Sequence, residues 1–204
     1  MNKILLYVLT AILLCTGISF AETKRSSIEI TAGAFSPDGD YDDYGGWENG
    51  NDMTVSYIAK INDFFAVETG LHAYNTEMES GWGYYDNLFG FSEVDGEVTS
   101  LGFNILGRVY HQFNSGFRVY GAAGLGLYFN EIEQSVLGIR YEDDGRGLGV
   151  ILKAGVDYVF TNGFYLGVNI KTFANSQEIE FYDGTKEDVD LGGTSYGVTV
   201  GYSF

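Results

Sequence analysis

Two groupings of residues in this chain could do chemistry. Glu68 and His72 stand four residues apart in an alternating segment. Both therefore project from one strand face, where a carboxylate and an imidazole beside a serine hydroxyl would make a hydrolytic set. Asp38-Gly-Asp-Tyr-Asp42 crowds three carboxylates as a calcium loop would, but Asp43 and Asn49 stand at the sixth and twelfth positions, where glycine and a bidentate glutamate belong. The expectation there is a solvated acidic loop. The second histidine, His111, falls on the apolar side of its segment beside Phe113. Nothing has zinc spacing or phosphate-loop form, and the glycines of 121–126 lie inside a strand pattern. A net charge of −17 opposes a nucleic-acid groove. One His–carboxylate spacing does not make a catalytic site, so no catalysis, cofactor or metal is expected.

The elements that must position these residues are strands. From residue 28 onward, short stretches alternate apolar and polar residues between turn signals. Ile28, Ile30, Ala32 and Ala34 oppose Glu29, Thr31 and Gly33. Met53, Val55, Tyr57, Ala59 and Ile61 oppose Thr54, Ser56 and Lys60. Phe65, Val67, Thr69 and Leu71 oppose Glu68, Gly70, His72 and Tyr74. Leu101, Phe103, Ile105 and Val109 oppose Ser100, Asn104 and Arg108. Four more such segments follow, around 117–129, 148–160, 164–171 and 195–204, and their polar sides carry Arg118, Lys153, Asp157 and Lys171. Eight strands is an even count, which returns the chain to the side where it started.

Connection lengths alternate. Asn62-Asp63, Asn114-Ser115-Gly116 and Thr161-Asn162-Gly163 have hairpin-turn chemistry, whereas 36–52, 75–97, 131–146 and 175–192 are long. The long connections hold 23 of the 28 acids and three of the 11 bases. Short turns on one rim and long acidic loops on the other is the layout of a transmembrane barrel. Closing the sheet also pairs every backbone group that hydrocarbon would leave unsatisfied. A water-soluble barrel would bury its apolar face instead. Here the apolar face is bulky and nearly free of charge, while the other is glycine-rich and mixes both signs. The fold expected is all-β: an eight-stranded antiparallel up-and-down transmembrane β-barrel. Its lumen would be filled by a polar network of Glu29, Lys60, Glu68, His72, Arg108, Arg118, Lys153, Asp157 and Lys171. Phe64, Phe65, Phe113, Phe117, Phe160, Phe164 and Phe204 would form one interfacial girdle. Phe35, Tyr74, Phe129 and Phe173 lie where the other belongs, although the parity of Phe35, Tyr74 and Phe173 points inward.

Residues 1–21 read as a signal peptide: Lys3, then an apolar run over 4–15, then Ser19-Phe20-Ala21 as a cleavage site. The barrel domain would then be 22–204, exported and without cysteine, since the single Cys15 lies in the leader.

The terminal Tyr196-Gly-Val-Thr-Val-Gly-Tyr-Ser-Phe204 resembles the closing strand of bacterial outer-membrane barrels, and Tyr120-Gly-Ala-Ala-Gly-Leu-Gly126 and Ala154-Gly-Val-Asp-Tyr158 resemble the OmpA/OmpX/OmpW-like group of small, porin-superfamily barrels. Thr199 stands where that strand usually has glycine. The resemblance implies a Gram-negative outer-membrane location, with Tyr202 and Phe204 as the signal read by the barrel-insertion machinery. Some barrels of this size modify lipid A with His and Ser near the outer leaflet, an activity this sequence does not match clearly. The role expected is structural or surface-interacting, through acidic extracellular loops that meet outer-membrane lipids, lipopolysaccharide and an extracellular partner. A narrow pore for small solutes or ions is the alternative, although eight strands leave little bore.

Overall fold

Alternation drives the fold: successive residues of each strand face in and out, most charged ones of the barrel inward and a continuous set of large apolar ones outward. The computed structural model describes residues 26–38, 47–77, 81–84, 91–136, 139–180 and 186–204. The leader expected over 1–21 and most of the acidic stretch 38–42 lie outside the described residues. Eight strands close the barrel: β1 (Ser27–Pro37), β2 (Gly50–Lys60), β3 (Phe65–Glu77), β5 (Phe91–Gln112), β6 (Phe117–Val136), β7 (Ile139–Val159), β8 (Phe164–Glu180) and β10 (Gly193–Ser203). Two short strands lie off the barrel, β4 (Gly81–Tyr84) on β5 and β9 (Lys186–Asp190) on β8. All pairings are antiparallel, and β1 pairs with β10 to close the ring.

The register fixes the tilt. From Ser203, hydrogen-bonded partners run through Ser27, Ile58, Glu68, Leu106, Gly124, Ile151 and Phe173 to Gly193. One circuit therefore returns to β10 ten residues higher, a stagger that inclines the strands by roughly 35–45° to the barrel axis.

The three expected tight turns form. Gly116 and Gly163 each adopt φ of 90°, a conformation glycine takes without a Cβ clash. Each donates its N–H to the residue three before it, Phe113 or Phe160, at 3.1 Å. At the third turn the Asn62 side chain accepts from the N–H groups of Phe64 and Phe65 at 2.9 and 2.8 Å. The girdle beside these turns is outward, with Phe64, Phe113, Phe117, Phe160, Phe164 and Phe204 all exposed on the apolar wall.

Two expectations need correction. Much of the presumed long loops is strand: β6 and β7 stay paired from the barrel to Val136↔Ile139, so the described residues of 131–146 extend the barrel's strands. Beyond the lipid a strand needs no apolar outer face, so acidic residues there do not signal its end. The second correction concerns the upper girdle. Phe35, Tyr74 and Phe173 are buried in the lumen, as their parity requires, and only Phe129 faces outward.

Candidate functional site

The lumen is filled in layers, beginning at the short-turn end. There Lys60, half-buried, places its Nζ 5.3 Å from the Tyr110 ring centroid, and the Tyr110 hydroxyl donates to the Asn62 carbonyl at 2.6 Å. Lys60 thus sits at the mouth, apart from the other expected lumen residues. Above it Arg118 donates through Nε and Nη2 to Asp157 Oδ2, at 2.9 and 2.6 Å.

The central layer joins residues from six strands. Arg108 Nη1 donates to Glu29 Oε2 at 3.0 Å and to Glu68 Oε2 at 3.1 Å. Lys153 Nζ donates to the other oxygen of each, Glu29 Oε1 at 2.6 Å and Glu68 Oε1 at 2.8 Å. The two bases and two acids thus form a closed square. The Arg108 guanidinium lies over the Tyr120 ring at 3.5 Å, and that of Arg118 over Tyr165 at 4.4 Å. Tyr165 also donates to Glu29 Oε2 at 3.3 Å. Glu29, Glu68 and Asp157 balance Arg108, Arg118 and Lys153, so no net charge is left in this apolar-walled space. Such pairing is required when ions leave water.

A second cluster lies higher. Lys171 Nζ donates to Asp52 Oδ1 and Thr54 Oγ1, each at 3.0 Å. Asp52 Oδ2 accepts from His72 Nε2 at 2.6 Å and from Ser195 Oγ at 2.7 Å. Asp52 had been read as part of the acidic connection 36–52. It is a lumen residue on β2, and its parity with Thr54 and Ser56 was the signal that could have found it.

This geometry revises the hydrolytic reading. Glu68 is bound to Arg108, Lys153 and Ser56, and the carboxylate partner of His72 is Asp52. Ser195 bonds that carboxylate rather than the imidazole, so His72 is not placed to take the serine proton. His72, Asp52 and Ser195 are all buried, sealed from the membrane surface by their own strands. His111 stands outside, its ring edge-on to Phe113 at 4.6 Å.

Above the second cluster the lumen holds a group of packed rings that sequence reasoning places at the rim or passes over. Phe173 stacks on Phe35 and Tyr128 with centroids 5.6 Å away in each case, and Tyr74 lies 4.7 Å from Phe35. Tyr128 is seated over glycines: a Cβ added to Gly102, Gly126 or Gly149 would come within 2.6–2.7 Å of its ring. The Tyr74 hydroxyl donates to the Leu191 carbonyl at 2.8 Å, and buried Leu191 covers the rings from the long-loop side. An amide chain completes the group, Asn175 donating to Asn130 at 3.0 Å and Asn130 to Gln177 at 2.7 Å.

Outside, the projecting ends of β3, β5, β6 and β7 carry acids in rows. Glu77, Glu97, Glu133 and Glu142 are consecutive cross-strand partners, and Glu131 pairs with Asp144 in the row nearer the barrel. Tyr202 and Phe204 lie exposed on the outer wall, their rings stacked with centroids 6.4 Å apart, and the Phe204 N–H donates to the Ser26 carbonyl at 2.9 Å.

Comparison with known proteins agrees with this architecture. No functionally curated protein sequence matches the chain. Among solved structures, it is similar to Ail, the attachment invasion locus protein of Yersinia pestis, at 16% identity and a TM-score of 0.54, covering 90% of this chain and 100% of that one. Ail is also known in complex with the heparin analogue sucrose octasulfate, at a TM-score of 0.52 and 15% identity, covering 88% of this chain and 98% of that one. Neisserial surface protein A is similar at 15% identity and a TM-score of 0.56, covering 88% and 97%. OprG from Pseudomonas aeruginosa is similar at 16% identity and a TM-score of 0.55, covering 89% and 97%. The outer membrane protein beta-barrel domain profile matches residues 7–204. A closed eight-stranded barrel with an apolar wall and an ion-paired lumen, matched over nearly its whole length by that profile, belongs to the outer membrane protein beta-barrel domain family.

Proposed function

We propose that this protein is a non-conducting, non-catalytic barrel that serves envelope integrity and surface contact by holding an acidic sheet above the outer membrane. The long-loop end faces the exterior, residues 1–21 are removed on export, and Tyr202 and Phe204 present the closing strand to the insertion machinery. The observation that carries this reading is the change of character along β5, β6 and β7. Their outer faces are apolar in the wall, and past it, beyond Arg146 on β7, they carry acids, with Glu97, Glu133 and Glu142 directly opposite one another. Like charges so placed repel, and divalent cations shared with the phosphates of lipopolysaccharide would relieve them. Ail was solved with a polyanion; the acidic rows here suit cations or a basic surface partner instead.

The experiment is a pair of measurements on protein in vesicles. With lipopolysaccharide present, chelator is expected to lower the unfolding temperature of the native protein and to leave that of a Glu97→Gln/Glu133→Gln/Glu142→Gln variant nearly unmoved. Equal sensitivity in both proteins would refute the cation link. In planar bilayers no steady conductance is expected, because the ionic square and the ring stopper occupy the bore. Defined channels would establish the narrow-pore reading in its place.

A further inference from the structure

The apolar wall is not equally tall all the way round. On β6 the outward residues are apolar or glycine from Phe117 to Phe129, on β7 from Leu148 to Phe160, and on β5, His111 excepted, from Leu101 to Phe113. Each run spans 12 residue steps. On β10 the corresponding run goes from Tyr196 to Phe204, on β2 from Met53 to Ile61, with Thr69 as its one polar member on β3 from Phe65 to Ala73, all eight steps. On β8 it goes from Phe164 to Ile170, with Ala174 standing alone beyond Thr172, and on β1 from Ile28 to Ala34, six steps. Above the short runs come polar outward residues: Asn51, Asn75, and Thr172 hydrogen-bonded to Thr194 at 3.0 Å. An antiparallel strand rises about 3.4 Å per residue, and a tilt of roughly 40° leaves about 2.5 Å of that along the axis. The wall is therefore about 30 Å tall at β5–β7, and about 15–20 Å tall from β8 through β10 and β1 to β3, against about 25 Å for barrels of this class.

Tilting the whole molecule does not remove the difference. The phenylalanines of the girdle follow the short-turn rim on both flanks, with Phe113, Phe117 and Phe160 on the tall side and Phe64, Phe164 and Phe204 on the short one. Except at β1, where Ser26 stands at the rim below Ile28, the lower edge is level, and most of the discrepancy falls at the long-loop edge. Leu148 and Phe129 stand there on the tall flank, Leu148 with 76% of its surface exposed.

We infer that the barrel deforms the leaflet at its long-loop end, thinning the lipid along β8, β10, β1, β2 and β3 and stretching it along β5, β6 and β7. The partner is the bilayer itself. An apolar surface taller than the hydrocarbon draws lipid up, and a shorter one draws it down. Lipid beside the β1–β10 seam is therefore compressed, and the acidic extension stands over the opposite, thickened side.

The test places nitroxide labels at Thr172→Cys and Thr194→Cys on one flank and at Phe129→Cys and Leu148→Cys on the other, in the chain 22–204, which has no other cysteine. The protein is reconstituted in dioleoylphosphatidylcholine vesicles, and collision with oxygen and with a water-soluble nickel chelate is compared. Labels at Thr172 and Thr194 should meet nickel, labels at Phe129 and Leu148 should meet oxygen, and the lipid–water crossover should differ between flanks by about 10 Å. A crossover at one height on both flanks would overturn the inference. So would spin–spin broadening at Leu148, which would assign the surplus apolar surface to a second copy. Independently, Thr172→Leu/Thr194→Leu should shift the preferred lipid from dilauroyl towards dioleoyl phosphatidylcholine, read as the urea midpoint in each. An unchanged preference would count against the proposal.

Discussion

The lower and upper halves of the lumen are filled by the same eight strands in opposite ways. Around Arg108, Glu29, Glu68 and Lys153 the filling is ionic, and each charge answers one contributed by a strand elsewhere on the ring. Around Tyr128, Phe173, Phe35 and Tyr74 it is aromatic, and the glycines opposite decide where the rings lie. Charges need partners and tolerate little loss. Rings need volume, and their loss leaves space. A narrow barrel can therefore be filled at two levels by unrelated physics, and the two levels should fail differently.

The largest effect is expected from Arg108→Met, which leaves Glu29 and Glu68 sharing Lys153 alone. Breaking a buried ionic set this way should cost about 3–5 kcal/mol, read from reversible urea unfolding in vesicles. Adding Glu68→Gln should recover part of that loss, and a double variant no better than Arg108→Met would mean that the square is not a coupled unit. Tyr128→Ala should cost about 3 kcal/mol through the cavity it leaves, and it should raise conductance when Arg108→Met does not. If both variants leak equally, the upper stopper is not the seal. Gly102→Ala presses a methyl against the Tyr128 ring and should cost about 1–3 kcal/mol as overpacking; in a Tyr128→Ala background the penalty should largely vanish. The smallest effect is expected outside. Glu97→Gln relieves a carboxylate lying between Glu77 and Glu133 and should stabilise by about 0.2–1 kcal/mol in cation-free buffer.

Much of this was legible in the sequence, because a strand between lipid and a filled lumen must send successive residues to opposite faces. Parity alone put Glu29, Glu68, His72, Arg108, Arg118, Lys153, Asp157 and Lys171 inside, where the structure has them. Parity also outweighed the girdle position of Phe35, Tyr74 and Phe173. Composition misled at the strand ends, where Asp52 was grouped with loop acids although two more residues of alternation carried it into the lumen. It misled again past the wall, where both faces of a strand tolerate polar residues and 131–146 looked like a loop. Partner choice was not legible at all. Lys153 meets Glu29 across 124 positions, a contact set by the ten-residue stagger of the closed ring rather than by spacing along the chain.

That separation bears on how the protein is made. The links from Lys153 and Tyr165 to Glu29 join the last third of the chain to its first strand, so they cannot form until Ser27 meets Ser203 and the circle is joined. A chain cut short before its final strand would leave Glu29 beside an open edge, with the lysine and arginine meant for it still facing water or lipid. Contacts this distant in sequence make assembly slow and late. The salt network thus works as a completeness check, rewarding only a polypeptide that has reached its end.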